Sequence, residues 1–401
     1  MQNVMINRSR EMLEASDRIL IRGCQGHKRN HKMLERGYPV FATRAKGPRF
    51  WDVDGNSYLD YLLGFGPILL GHADPVLNSA VAKQMEQGNI FSTAHEAELR
   101  AAELVLELNP WAEMAGLMLG GSAVTAAAIR VARAVTGKDV ILRCGYHGWY
   151  DWTAVDQTGV PKCTGELSVT FPYNDLNALE DLLKKYDGKV AGVIVETIQE
   201  EGPEEGYLQG CIDLAHRYGA LCVMDEVKTG FRVAYGGACE LYNLKPDMAT
   251  FGKACCNGLP GSYLVGTREV MGDDRAQACW LAATFHCELL SLVALETVTS
   301  EMRRRDGISY QHRLGQRLID GINKACADGG VAYRLTGHPA MPQPVIEPAE
   351  EKPRTIRMLI GALNRGHYLH PGHCMFLSLA HTEADVDATI QAVAEAVDEL
   401  E

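Results

Sequence analysis

Between residues 140 and 265 the sequence carries five short, nearly continuous apolar runs, and this feature leaves few folds open. They are Val140-Ile141-Leu142-Arg143-Cys144, Val190 to Val195, Ala220-Leu221-Cys222-Val223-Met224, Met248-Ala249-Thr250-Phe251 and Ser262-Tyr263-Leu264-Val265. Runs of this length that do not alternate with polar residues belong to strands buried on both faces. Helix-period segments near 176–185 and 207–217 separate them, and a further helix from Ala123 to Val135 is closed by Gly137. Strands alternating with helices give an α/β fold with a mostly parallel sheet covered on both sides.

The two ends of the chain read differently. Residues 1–35 suggest a polar helical arm, and Phe50 to Tyr61 suggests two short strands around Asp54-Gly55-Asn56. The last hundred residues show a helix near 309–328, an irregular Pro-rich stretch at 338–353, a helix near 354–365 and a closing helix. That last helix places Val386, Ile390, Val393 and Val397 on one stripe. The expected organisation is an N-terminal arm with part of a small domain (1–72), a large domain (73–300) and a C-terminal small domain (301–401).

Charge and cysteine use narrow the class. The chain has 39 Lys and Arg against 51 Asp and Glu, a formal net charge of −12. Such a chain repels nucleic acid, and the basic patch at Lys28, Arg29 and Lys32 is short. No apolar run reaches the roughly 18 residues that a membrane span needs. No signal-peptide block opens the sequence, so a cytoplasmic protein is expected. Twelve cysteines are scattered without a CxxC pair, and Cys255 and Cys256 are adjacent. Reduced thiols fit this better than disulfides, and no Cys/His spacing suits a metal.

GxGxxG, GxxxxGK[ST], HExxH and GxSxG motifs are absent. In an open parallel sheet, ligands sit beyond the carboxyl ends of the strands. The polar residues at those ends are Tyr146-His147-Gly148, Glu196, Asp225-Glu226 and Lys253, and Gly120-Gly121-Ser122 precedes a helix. Each has a plain alternative, since a Ser before a helix is commonly an N-cap and a lysine between apolar segments commonly snorkels. Together they describe a pyridoxal 5′-phosphate (PLP) site: a phosphate cradle at a helix N-terminus, an aromatic, a strand-end carboxylate and a lysine beside a Gly-rich loop.

At this point the sequence resembles the class III aminotransferases of PLP fold type I, closest to the glutamate-1-semialdehyde aminomutase branch, over residues 35 to 400. The resemblance rests on the segments from Gly47 to Gly55, Gly66 to His72, Ala128 to Gly137 and Tyr146 to Gly148. It continues through Asp225 to Arg232, Phe251-Gly252-Lys253 with Gly258-Leu259-Pro260-Gly261, Thr284-Phe285 and Phe376 to Thr382. It implies that Lys253 is the Schiff-base and proton-shuttling lysine. Asp225 would pair with the pyridine nitrogen, with Val227 and Tyr146 on opposite ring faces. Gly121 and Ser122 would hold the phosphate, helped by Thr284 from the partner chain of a homodimer, with Glu196 and His147 in support. Phe65 would lie near the substrate, and Arg29 and Arg44 are candidates for a substrate carboxylate.

The sequence departs from the family pattern in several places. Leu119 and Ala123 stand where the family has Asn and Glu, and Glu196-Thr197-Ile198 replaces Glu-Pro-Val. His286-Cys287-Glu288-Leu289 replaces Ser-Gly-Asn-Pro. The segment after Tyr146-His147-Gly148 is shorter than the aminomutase lid, and Pro371-Gly372-His373-Cys374 replaces its Ser-Gln-Phe-Glu stretch. The expected fold is a PLP-dependent transferase of fold type I, a large domain with a mostly parallel sheet plus a smaller α+β domain from both chain ends. The expected activity is amino-group transfer between an amine or amino acid and a carbonyl acceptor. An aminomutase, a PLP-dependent lyase or racemase, and an inactive binding relative are the alternatives.

Overall fold

The structure is a computed structural model that describes residues 5–24, 31–154 and 157–400. The chain divides into two compact units, one of residues 1–75 with 305–401 and one of residues 76–304.

The unit of residues 76–304 is built on seven strands: β1 Met114–Leu119, β2 Val140–Cys144, β3 Ser168–Thr170, β4 Val190–Glu196, β5 Leu221–Asp225, β6 Met248–Phe251 and β7 Gly261–Gly266. Their order across the sheet is β1-β7-β6-β5-β4-β2-β3. Every pair is parallel except those that β7 makes with β1 and β6. Strands β4 to β7 are almost wholly buried, which is why their sequences read as continuous apolar runs. Ser168–Thr170 is too short and polar to stand out in sequence.

Helix α1, Gly121–Thr136, lies on this sheet through Val124, Ala127, Ala128, Val131 and Ala132. Small residues on that stripe let the helix approach closely. Gly137 ends it in the left-handed conformation, φ 67°, with its N–H on the Arg133 carbonyl.

The other unit holds a four-stranded sheet. Ala42–Lys46, Arg49–Asp52 and Ser57–Asp60 run antiparallel in turn, and His367–Tyr368 joins the last of them in parallel. The Asp54-Gly55-Asn56 turn lies where the sequence placed it; Asp52 Oδ1 accepts from the Asp54 and Asn56 N–H groups. Helices Gly307–Asp328, Lys352–Asn364 and Glu383–Asp398 share one core around Leu318, Ile322, Met358, Leu359 and Val393. The Pro-rich stretch is more ordered than expected, for Gln343–Ile346 pairs with Tyr333–Thr336. In a two-stranded sheet each strand is an edge, the kind of strand in which proline is tolerated.

Among the described residues no helix is long and apolar enough to cross a membrane. All twelve cysteines are free thiols, and Cys255 and Cys256 sit with their sulfurs 3.5 Å apart.

Candidate active site

Parallel strands β2, β4, β5 and β6 end on the same edge, so Cys144, Glu196, Asp225 and Phe251 deliver their following residues to one place. Asp225 is buried at the end of β5. Its Oδ1 accepts from the Val227 N–H and the Thr250 hydroxyl, each at 3.1 Å. Its Oδ2 lies 2.7 Å from Nδ1 of His147. Nε2 of His147 faces the Cys144 carbonyl at 3.1 Å. A carbonyl only accepts, so Nε2 carries a hydrogen, and one proton is shared in the short contact between Nδ1 and Asp225. The Thr125 hydroxyl donates to the His147 carbonyl at 2.7 Å, tying this loop to α1.

Glu196 lies beside Asp225 in register. It pairs with the Lys228 ammonium and accepts from the Tyr146 N–H at 3.2 Å. Burial pushes the Glu196 carboxyl up, but Lys228 and the Tyr146 N–H outweigh it and hold it below the usual carboxylate range. The loop passes this carboxylate only because residue 145 is glycine: φ is +105°, and a Cβ there would stand 2.5 Å from the Glu196 Cβ. Glu226, by contrast, points into the core, where it accepts from the Ala238 and Cys239 N–H groups at 2.9 and 2.8 Å and from the Thr197 and Thr229 hydroxyls. Its burial pushes its carboxyl up.

The Gly120-Gly121-Ser122 turn opens α1. No side chain caps this N-terminus, Gly120 has φ 85°, and a Cβ on it would meet nothing within 4 Å. The Ser122 hydroxyl accepts from the Trp149 N–H at 3.2 Å. A Cβ on Gly148, φ +111°, would lie 2.8 Å from both Cα and Cβ of Ser122. Val227 is the hub between cradle and lysine, with its Cγ1 at 3.2 Å from a Cβ placed on Gly121 and 3.6 Å from one on Gly252. Lys253 follows, half-buried and at φ 49°, as the first residue of a short 3-10 turn ending at Cys256. A left-handed lysine is strained and is kept only where the surroundings fix it.

The structure thus brings together Gly121, Ser122, His147, Glu196, Asp225, Val227 and Lys253, with Tyr146 exposed on the linking loop. Thr284 stands apart, exposed on a turn that lines a cavity of 260 Å³ with Phe91, His95, Glu98 and Cys287. Phe65 belongs to the unit of both chain ends, at φ 71° with its ring 5.2 Å from His373 and 6.3 Å from His370. Arg44 is exposed with its guanidinium 3.5 Å over the Trp51 ring. Arg29 lies outside the described residues. Sequence reasoning overlooked Lys228 and Thr250; the only signal for Thr250 was a polar residue in a buried strand.

These donors and acceptors fit PLP. An uncapped N-terminus of a 16-residue helix beside a hydroxyl suits a phosphate. The Asp225 carboxylate offers about four acceptor positions, of which Val227, Thr250 and His147 take three, leaving one for a pyridine N–H.

Comparison with known proteins agrees. The family described as aminotransferase class-III matches residues 32–397. The chain is 33% identical to a 3-aminobutyryl-CoA aminotransferase of Cloacimonas acidaminovorans (strain Evry), covering 100% of this chain and 99% of the relative. It is 36% identical to a glutamate-1-semialdehyde 2,1-aminomutase of Anaeromyxobacter sp. (strain Fw109-5), covering 89% and 90%. The solved PLP internal aldimine form of the Sphingopyxis sp. MTA144 FumI protein superposes with a TM-score of 0.93 at 28% identity, over 98% of this chain and 96% of that one. With the family matched over most of its length and a PLP-fitting set of residues at its strand ends, the chain belongs to the class III aminotransferases, enzymes that work with PLP.

Proposed function

We propose that this enzyme transfers an amino group between molecules, and that its amino donor is a β-amino acyl thioester of the 3-aminobutyryl-CoA kind. The convergence of Asp225, His147, Lys253 and the Gly120–Ser122 turn on one sheet edge carries the amino-transfer reading. The thioester is supported by similarity to the 3-aminobutyryl-CoA aminotransferase over the whole of this chain and 99% of that relative. The departures also lead away from the aminomutase, because a long lid is what retains a released intermediate. Here Gly148 is joined to Ser168 by a segment in which the described residues form one five-residue helix, Lys162–Glu166.

PLP, when bound, supplies an electron sink for the carbon that loses its proton. The rest is work for this chain's own residues. The α1 N-terminus and Ser122 hold the phosphate. Asp225, kept in place by Val227, Thr250 and His147, holds a proton on the pyridine nitrogen. Val227 and Tyr146 confine the ring. Nζ of Lys253 anchors the cofactor between turnovers and moves the proton from the amino-bearing carbon. The exposed turn at Thr284 serves the neighbouring subunit's phosphate in a homodimer, and the free thiols suit the cytoplasm.

The test offers holoenzyme 3-aminobutyryl-CoA, free 3-aminobutyrate and glutamate 1-semialdehyde, each in a single turnover. The cofactor spectrum, keto product and ammonia are followed. Keto product with no ammonia, and recovery of the starting spectrum only after a keto acceptor is added, is the expected result. Ammonia released with no acceptor would move the assignment to a lyase, and an isomeric amine as sole product to a mutase.

A further inference from the structure

A cavity of 470 Å³ opens between the flank of α1 and the segment after Gly148, lined by Ile129, Arg130, Arg133, Trp149, Tyr150 and Trp152, with the exposed Asp151 at its wall. Two of its donors are buried and lack a hydrogen-bond partner among the described residues: Nη2 of Arg133 and Nε1 of Trp152. Arg133 otherwise donates from Nε to the Asp139 carbonyl at 2.9 Å. Arg130, one turn earlier on the same flank, gives Nη1 to the Trp280 carbonyl at 2.7 Å and is exposed beyond that. Orphaned buried donors are expensive, so a small turn of either side chain that brings its donor to the wall favours an acceptor-rich guest. Two guanidinium groups three residues apart on a helix are neighbours whose forked donors match phosphate oxygens. Burial lowers the Arg133 guanidinium, a penalty that a bound anion removes.

The aromatic part adds shape. Trp149 is 73% exposed and Tyr150 38%, with their rings 5.3 Å apart and edge-to-face. Large exposed aromatics beside arginines suit a planar base. The cavity falls in the range that holds a small organic ligand and is too large for a lone phosphate. It also adjoins the cofactor cradle at two points. The Trp149 N–H bonds Ser122, and the Trp152 ring lies 6.1 Å from the His147 ring at 16°, behind the imidazole that holds Asp225.

We propose that this cavity is the subsite for the phosphorylated adenine nucleotide handle of the acyl thioester, an inference that rests on the thioester reading above. The phosphates lie on Arg130 and Arg133 and the base against Trp149 and Tyr150, so the handle anchors the substrate beside the cradle.

Calorimetric titration of the holoenzyme with adenosine 3′,5′-bisphosphate, and separately with inorganic phosphate, tests this. The expected result is one bisphosphate site per chain, with free phosphate binding at least tenfold more weakly. Arg133→Gln and Trp149→Ala should each weaken the bisphosphate at least tenfold, and Trp149→Ala should raise KM for 3-aminobutyryl-CoA more than it lowers kcat. Trp149 is a surface side chain, so its variant stays informative if Arg133→Gln fails to fold. Absence of bisphosphate binding, including through closure of the cavity by a second copy in the dimer, overturns the subsite. So does binding that ignores both variants while the thioester still turns over. Bisphosphate binding that the variants weaken, in an enzyme that refuses 3-aminobutyryl-CoA as donor, keeps the nucleotide site and overturns the substrate assignment alone.

Discussion

Replacing Asp225 with Asn tests the electron-sink reading at the atom that carries it. The fold should survive the change. Asn Oδ1 can keep accepting from Val227 and Thr250, and its amide NH₂ can donate to Nδ1 of His147, which then keeps its only hydrogen on Nε2 for the Cys144 carbonyl. Every local partner is retained, so the unfolding midpoint should fall by no more than about 2–4 °C, the equivalent of roughly 1 kcal/mol. Chemistry should suffer far more. An adjacent carboxylate raises the proton affinity of a cationic nitrogen by roughly 1–3 pH units, each worth about 1.4 kcal/mol. A pyridine N–H that met an acceptor now meets an amide, at a further cost of about 1–3 kcal/mol. Together the half-reaction should slow between roughly 10²- and 10⁵-fold. Stopped-flow absorbance with saturating amino donor measures this, and cofactor retention after gel filtration separates chemistry from binding. A variant that turns over within tenfold of wild type, with cofactor bound, refutes the assignment of Asp225.

Other outcomes follow from the same geometry. Lys253→Ala should abolish turnover and the yellow absorbance, and borohydride reduction of wild type followed by peptide mapping should place the adduct on Lys253 and nowhere else. Gly148→Ala places a Cβ against Ser122 at a φ of +111°, so the dissociation constant for PLP, measured by equilibrium dialysis, should rise at least roughly tenfold, about 1.4 kcal/mol. Lys228→Met leaves burial of Glu196 opposed mainly by the Tyr146 N–H, so its carboxyl rises. The paired carboxylate stabilises the fold above its unfolded titration range and loses that contribution as pH falls through its lowered folded value. The gap in melting temperature between wild type and variant should therefore be widest near pH 7 and narrow on acidification, and a constant gap refutes the pairing. Burial, with Arg49 nearby, lowers His367 from 6.5 to about 4. The fold favours its neutral form, so its contribution is complete above pH 6.5 and lost between 6.5 and about 4; His367→Asn should flatten thermal stability across that window.

The sheet was legible because burial on both faces leaves an uninterrupted apolar signature, and strand ends in such a sheet point to the ligand edge by topology alone. That was enough to single out Asp225, Glu196, Lys253 and the Tyr146-His147-Gly148 loop. What stayed hidden depends on register. Thr250 reaches Asp225 only because β5 and β6 pair at that level, and Lys228 finds Glu196 only because β4 and β5 end side by side. Gln343–Ile346 was unreadable because proline is permitted in an edge strand and edges are not visible in sequence. The orphaned donors of Arg133 and Trp152 were hidden for a related reason. Their helix and loop positions look like ordinary core and surface until the two segments are placed together.

The electrostatics of the sheet edge explain why Lys228 matters in this chain. Glu196 and Asp225 are register neighbours on adjacent strands, so two carboxylates meet where solvent is scarce. Like charges this close drive one of them to take up a proton unless each has its own cation or donor. Here the load is divided: Lys228 holds Glu196, while His147, Thr250 and the Val227 N–H hold Asp225. Glu226 is turned away into a nest of N–H and hydroxyl donors. With Glu196 paired to Lys228, Asp225 keeps one acceptor position open, the one that the proposed function assigns to the pyridine N–H. Removing Lys228 therefore acts on Asp225 as well. An uncompensated Glu196 charge acts through space on the neighbouring Asp225–His147 pair, so Lys228→Met should shift the pH profile of the half-reaction as well as the melting curve. A Lys228→Met profile that overlays wild type would show the two carboxylates to be electrostatically independent.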